Sequence, residues 1–144
     1  MTKTDEALKY FKEGFSCSQA VLRVFAKDFG LNDEQSLRIA GSFGGGVARM
    51  SQMCGAVSGA LMVIGLKYGK TEASDDQQKE INYKAAQQFA AEFKKKNKSL
   101  MCSDLLGVDL SNPEAGAYMK QNNLSTLVCQ KAIIDAIDVL EKIL

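Results

Sequence analysis

The 144-residue chain has no histidine, no tryptophan and a single proline, Pro113. Without an imidazole there is no histidine general base, no histidine-containing zinc site and no ordinary histidine-ligated haem. The CxxCH sequence for covalent haem attachment is missing as well. No segment alternates in the Val-, Ile- and Thr-rich manner of a strand. The longest weakly polar run, Met53 to Leu66, is rich in glycine and too short to cross a bilayer, so it reads as a buried core helix. The start, MTKTDEALKYF, is charged and lacks the apolar core of a signal peptide. Eighteen basic against seventeen acidic residues supply no electrostatic reason to bind nucleic acid or an anionic membrane. Together these absences predict a soluble cytoplasmic protein whose thiols rest in the reduced state, with neither nucleic acid nor membrane insertion in its function.

What is present is helical periodicity nearly everywhere, in a chain 46% hydrophobic and 24% charged. Asp5 to Glu13 places Ala7, Leu8 and Phe11 on one face. Ser16 to Phe29 repeats apolar residues at helical spacing and stops at Gly30. Asn32 with Gln35 forms a capping-box pattern opening a helix through Ile39, and Ser74 with Gln77 forms another, opening a long polar helix through Lys96. Between them GSFGGG, residues 41 to 46, breaks the pattern, and a helix resumes near Gln52 and ends at Tyr68-Gly69. Turns are expected at Met101 to Leu106 and Pro113 to Lys120, and an amphipathic helix at Thr126 to Ile143. The sequence thus predicts an all-α, single-domain multi-helix bundle over residues 1–144.

Unusual chemistry is left to four cysteines, Cys17, Cys54, Cys102 and Cys129. Their separations of 37, 48 and 27 residues exclude a local CxxC redox motif and the paired spacing of a zinc ribbon. Their settings agree, however. Ser51, Ser99 and Thr126 each stand three residues before a cysteine, and Ser16 immediately precedes Cys17 with Gln19 three residues on. If these hydroxyls are caps, every cysteine falls in the first turn of a helix, where free N–H groups and the helix dipole favour a thiolate. Cys54 also has small neighbours, Gly55 and Gly59, that leave a shallow face over which a second sulfur or a partner can approach. Cys54 is therefore the first candidate for the most reactive thiol, Cys17 the next, and Cys102 and Cys129 partners or co-ligands.

The residues FSCSQAVL (15–22), FGGGVARM (43–50), CGAVSGALMVIGLKYG (54–69), CSDLLG (102–107) and the late Cys129 resemble the C_GCAxxG_C_C family. It is named for four cysteines and a CGAxxG element, matched here by Cys54 to Gly59. The resemblance covers nearly the whole chain and implies an all-helical fold and a redox role for the cysteines. Relatives of split-Soret cytochrome type add haem-binding sequence to such a domain. This chain lacks it, so no haem is expected.

Three functions compete on the sequence. The first is thiol–disulfide or electron exchange, with a redox partner protein or a small thiol or disulfide as the other reactant. The second is a four-thiolate metal or iron–sulfur centre at Cys17, Cys54, Cys102 and Cys129. The third is a non-catalytic binding or assembly module using the CGAVSG face, with a homodimer among the options. GSFGGG also has the look of an anion-binding loop, with Arg49 nearby to assist, but it lacks the Lys-Ser/Thr ending and the preceding strand of a phosphate loop. A plain loop turning the chain back is the simpler expectation there. The basic run Lys94 to Lys98 reads as a solvated helix end.

Overall fold

Reciprocal caps set the first three helix starts. Thr2, Ser16 and Asn32 accept hydrogen bonds from the N–H groups of Asp5, Gln19 and Gln35, whose side chains return to the cap backbone. They open α1 (Lys3–Glu13), α2 (Cys17–Ala26) and α3 (Asp33–Ile39). The first helix begins two residues before the apolar pattern does because Thr2 supplies its cap. α2 tightens into a 3-10 turn, Lys27–Phe29, and stops at Gly30 with φ of 85°.

The computed structural model describes residues 1–144 and continues with α4 (Gly55–Tyr68), α5 (Asp76–Asn97), α6 (Cys102–Leu106), α7 (Ala115–Gln121) and α8 (Lys131–Ile143). The fold is all-α and contains no strand. Asp75, not Ser74, caps α5, accepting from the Gln78 N–H. The two segments predicted as turns form the short helices α6 and α7. The last predicted helix is composite: a π turn, Ser125–Gln130, runs directly into α8.

α4 lies at the centre. Ala56, Val57, Ala60, Val63 and Ile64 on it are fully buried, as expected of a helix with little polar surface. α2 and α8 pack against it with Val21, Leu22, Ile133, Ile137 and Leu140, and α5 closes the core with Phe89 and Phe93, whose rings stack at 5.9 Å. α1 covers α2 and α8. The end of α5 is tied rather than free: Lys131 on α8 donates to the Lys96 carbonyl at 2.9 Å, and Asn97 donates to Asp135 on α8 at 3.0 Å. No helix is long and apolar enough to cross a membrane.

The α2–α4 contact is the most extensive between helices, and Gly59 permits its close approach. A Cβ at Gly59 would stand 2.8 Å from the Ser18 carbonyl oxygen and 3.2 Å from Val21 Cβ, so the two helices would have to separate. Gly65, one and a half turns later, has nothing within 4 Å of its Cβ position. Two substitutions in one helix should therefore act in opposite directions. Gly59→Ala should destabilise the fold by about 1–3 kcal/mol through overpacking. Gly65→Ala should stabilise it by about 0.5–1 kcal/mol through the lower entropy of the unfolded chain. Urea unfolding of both variants checks this, and equal effects at the two sites would contradict the account of the crossing.

Candidate functional site

The two Ser-x-Met-Cys segments pair with each other. Met53 and Met101 form an isolated antiparallel bridge, flanked by hydrogen bonds from the Cys54 N–H to the Leu100 carbonyl at 2.8 Å and from the Cys102 N–H to the Gln52 carbonyl at 2.7 Å. This clamp brings residues 48 apart in sequence to one place and sets the starts of α4 and α6 side by side. Ser51 and Ser99 are therefore not the helix caps that their spacing predicts. Ser51 lies outside α4 and accepts the Leu110 N–H at 2.7 Å. Ser99 accepts the Met101 N–H at 3.0 Å and donates to Asp104 at 2.8 Å, forming a local turn. Cys54 itself occupies the cap position of α4; its carbonyl accepts the Val57 and Ser58 N–H groups at 3.0 Å, and its sulfur makes no capping hydrogen bond.

Cys17 is the first residue of α2 and reaches the start of α4 where Gly55 leaves room for it. A Cβ on Gly55 would overlap the Cys17 sulfur. Gly55 is therefore where one helix start receives the thiol of another, beside Cys54, which lines the same cavity as Cys17. Gly59, proposed from the sequence as lining the site, instead sits at the helix crossing and is absent from the cavity wall.

GSFGGG is not a plain turn-back. Gly45, Gly46, Val47, Ala48 and Arg49 all have positive φ, between 49° and 69°, which makes a left-handed helical turn extending three residues beyond the glycines. Such a turn costs about 1–2 kcal/mol for each residue that carries a Cβ, so its neighbours must hold it. The Arg49, Ser51 and Gln52 N–H groups donate to the carbonyls of Gly44, Gly45 and Gly46 at 3.2, 3.2 and 2.8 Å. Gly46 is pressed so close to Cys102 that a Cβ on it would lie 2.8 Å from Cys102 Cβ. The turn aims the Gly45 N–H at the Cys17 sulfur.

All four cysteines line one cavity of about 390 Å³, walled mainly by apolar residues such as Phe11, Leu105, Leu106 and Val128. Each cysteine is a free thiol. Cys129 enters from the π turn, the fifth residue of its helical run, and Thr126 makes no cap there. The shared first-turn setting predicted from the sequence therefore describes Cys17 and Cys102, with Cys54 one residue earlier as a cap, and does not describe Cys129.

The thiols are electrostatically unequal. The hydrogen bond from Cys54 is the largest influence on Cys17. The N–H groups of Ser18, Gly45 and Cys17 itself add to it, and together they outweigh burial and bring the Cys17 thiol from its ordinary value of 9.0 down to about 7. The same contact raises Cys54 well above the ordinary value, with burial and the charge on Cys17 adding to the effect. Burial, assisted by the Cys17 charge, pushes Cys102 up to about 11 and Cys129 up to about 12. The acidified thiol is thus Cys17 rather than Cys54, which the sequence ranked first, because Cys54 donates to its neighbour.

No three Cys, Asp or Glu side chains stand close enough to hold one metal ion. The four cysteines line a space instead of converging on a point, so a single ion held by all four would require them to move inward.

The family model described as "Putative redox-active protein (C_GCAxxG_C_C)" matches residues 15–143, so the chain belongs to that family. No curated protein and no solved structure matches it.

The inequality of the thiols is directly measurable. Below pH 7 Cys17 is mostly protonated and slow, and above it the thiolate makes it fast. Alkylation followed residue by residue by mass spectrometry should give a half-maximal rate near pH 7 for Cys17, while Cys102 and Cys129 stay slow up to pH 10. In Cys54→Ala the Cys17 midpoint should rise toward 9.0. A midpoint unmoved by that substitution would remove the Cys54 hydrogen bond as the cause.

Proposed function

We propose that this member of the C_GCAxxG_C_C family exchanges two electrons by thiol–disulfide chemistry at the Cys17–Cys54 pair. The observation that carries the reading is the seating of the Cys17 sulfur against Gly55, beside Cys54, where the second thiol lowers the first to about 7. At neutral pH a large fraction of Cys17 is thiolate, and a thiol with a pKa near the ambient pH combines nucleophile population with nucleophilicity most effectively.

The steps follow from the two environments. The Cys17 thiolate attacks one sulfur of a substrate disulfide, the substrate S–S bond breaks, and the departing half leaves as thiolate or thiol. Cys17 is then a neutral mixed disulfide. The two influences of Cys17 that raise Cys54, a hydrogen bond donated to it and its negative charge, disappear with that step, while the Ala56 and Val57 N–H groups remain to stabilise a Cys54 thiolate. Cys54 loses its proton to the departing thiolate or to water and attacks Cys17, which releases the second half of the substrate. The net change is one substrate disulfide reduced to two thiols and one protein dithiol oxidised to a disulfide. The first step thereby activates the second.

Cys102 and Cys129 stay protonated through this cycle near neutral pH and serve as cavity wall. Gly55 belongs to the machinery through its lack of a side chain, because any Cβ there displaces the Cys17 sulfur from Cys54.

Trapping tests the reading. Cys54→Ser incubated with a disulfide reagent should accumulate a stable mixed disulfide on Cys17, identified by the added mass on its peptide, whereas wild type should pass on to the internally bonded form. Cys17→Ser should accumulate neither. A mixed disulfide that builds up first on Cys102 or Cys129 would overturn the assignment.

A further inference from the structure

The cysteine cavity does not end at its apolar wall. Ser16, Gly45, Arg49, Leu110 and Met119 line both that cavity and a second, more open groove of about 850 Å³ that continues past Ser111 and Asn112. The wall shared by the two spaces includes the strained turn, and Cys17 lies on the cavity side of it.

Apart from the Cys17 thiolate, charge on this surface comes from one residue. No Asp, Glu or Lys lines either space, and Arg49 is the only charged residue in both linings. It is also the one arginine of three without a carboxylate partner: Arg23 pairs with Asp33 and Arg38 with Glu34, each at 3.0 Å, and Arg49 makes no ion pair. Nor is it among the groups that hold the Cys17 thiolate. Its backbone is fixed at φ of 64° by the left-handed turn, and its Cγ packs against Gly45. A strained backbone thus presents an unpaired guanidinium at the junction between the apolar thiol cavity and a polar groove.

Resting on the thiol-exchange reading, we propose that the substrate is a small carboxylate-bearing disulfide of the amino-acid or short-peptide class. Its sulfur enters the apolar cavity at Cys17, its carboxylate pairs with Arg49, and its amide portion lies along Ser111 and Asn112. A guanidinium recognises a carboxylate through two parallel N–H donors, which gives orientation as well as attraction. The cavity volume suits a disulfide end with a few carbons, and the adjoining groove suits the polar remainder. The chemistry is the exchange already written: the small disulfide accepts two electrons from the Cys17–Cys54 dithiol and leaves as two thiols.

The test compares three disulfides against the reduced full-length protein: oxidised glutathione (anionic), bis(2-hydroxyethyl) disulfide (neutral) and cystamine (cationic). Stopped-flow measurement should give a saturable reaction with oxidised glutathione, faster than with the other two, and its advantage over the neutral compound should shrink as salt is added. Arg49→Gln should lower the ratio of kcat/KM for oxidised glutathione to that for the neutral disulfide by roughly tenfold, and Arg49→Lys should restore part of it. The Cys17 titration midpoint, which Arg49 does not set, reports whether each variant keeps the site intact. Equal rates for the three disulfides in the wild-type protein, or an unchanged ratio in Arg49→Gln, would overturn the proposal. So would faster reduction of a protein disulfide such as that of insulin at equal concentration. If Cys17 is inert toward every disulfide offered, the exchange reading itself fails along with this one.

Discussion

The contact between the Cys17 and Cys54 sulfurs depends on how closely α2 and α4 can approach. Two glycines spaced one helical turn apart on α4 set that distance. Gly59 lets the α2 backbone lie directly against α4, and Gly55 leaves the space into which the Cys17 sulfur fits. Both helices are anchored in the core by Val21, Leu22, Val57 and Ile64, so their separation is fixed by packing and cannot be adjusted at the site alone. A thiol pair held in this way keeps its geometry without a CxxC loop. Its two members come from different helix starts 37 residues apart.

Stabilising a thiolate in so apolar a place requires donors, and the fold supplies them from backbone. The N–H groups of its own helix start and of Gly45 lower the Cys17 thiol, and those of the first turn of α4 act in the same direction on Cys54. The left-handed turn from Gly45 to Arg49 contributes one of these N–H groups, that of Gly45. Holding Val47, Ala48 and Arg49 at positive φ is unfavourable, and the hydrogen bonds from Arg49, Ser51 and Gln52, with the contact of Gly46 on Cys102, offset it. Strain stored beside a reactive group is a common feature of functional sites, and here the strained residues are also those that place Arg49. Site and scaffold are therefore one structure: the Met53–Met101 bridge that joins Cys54 to Cys102 also supports the turn that serves Cys17.

Much of the fold was legible in the sequence because helix starts carry local signals. The Ser16–Gln19 and Asn32–Gln35 boxes, the Gly30 stop and the apolar stripe of the last helix act over three or four residues and read directly. The site was legible as a set of residues and obscure as a geometry. Cys17 and Gly55 are joined by tertiary packing that no local pattern records. Ser51 and Ser99 precede their cysteines at capping distance, yet their segments pair across the chain as an antiparallel bridge. The repeated Ser-x-Met-Cys wording was itself the available signal for that pairing. The left-handed turn was hidden for a different reason: its glycines announced unusual φ values, but Val47, Ala48 and Arg49 gave no indication that the conformation continued through them. The ranking of Cys54 above Cys17 compared helix positions one at a time and could not register the influence of one thiol on the other, which lowers Cys17 and raises Cys54.

The central claim is that Cys17 and Cys54 form one two-electron couple. Equilibrating the protein across a series of dithiol–disulfide buffers, quenching with acid and mapping the linkages by mass spectrometry tests it most directly. The account predicts a single transition in which a Cys17–Cys54 disulfide replaces two free thiols while Cys102 and Cys129 remain reduced. Four thiols unchanged across the series, or a first disulfide that joins Cys17 to Cys102 or Cys129, would contradict it.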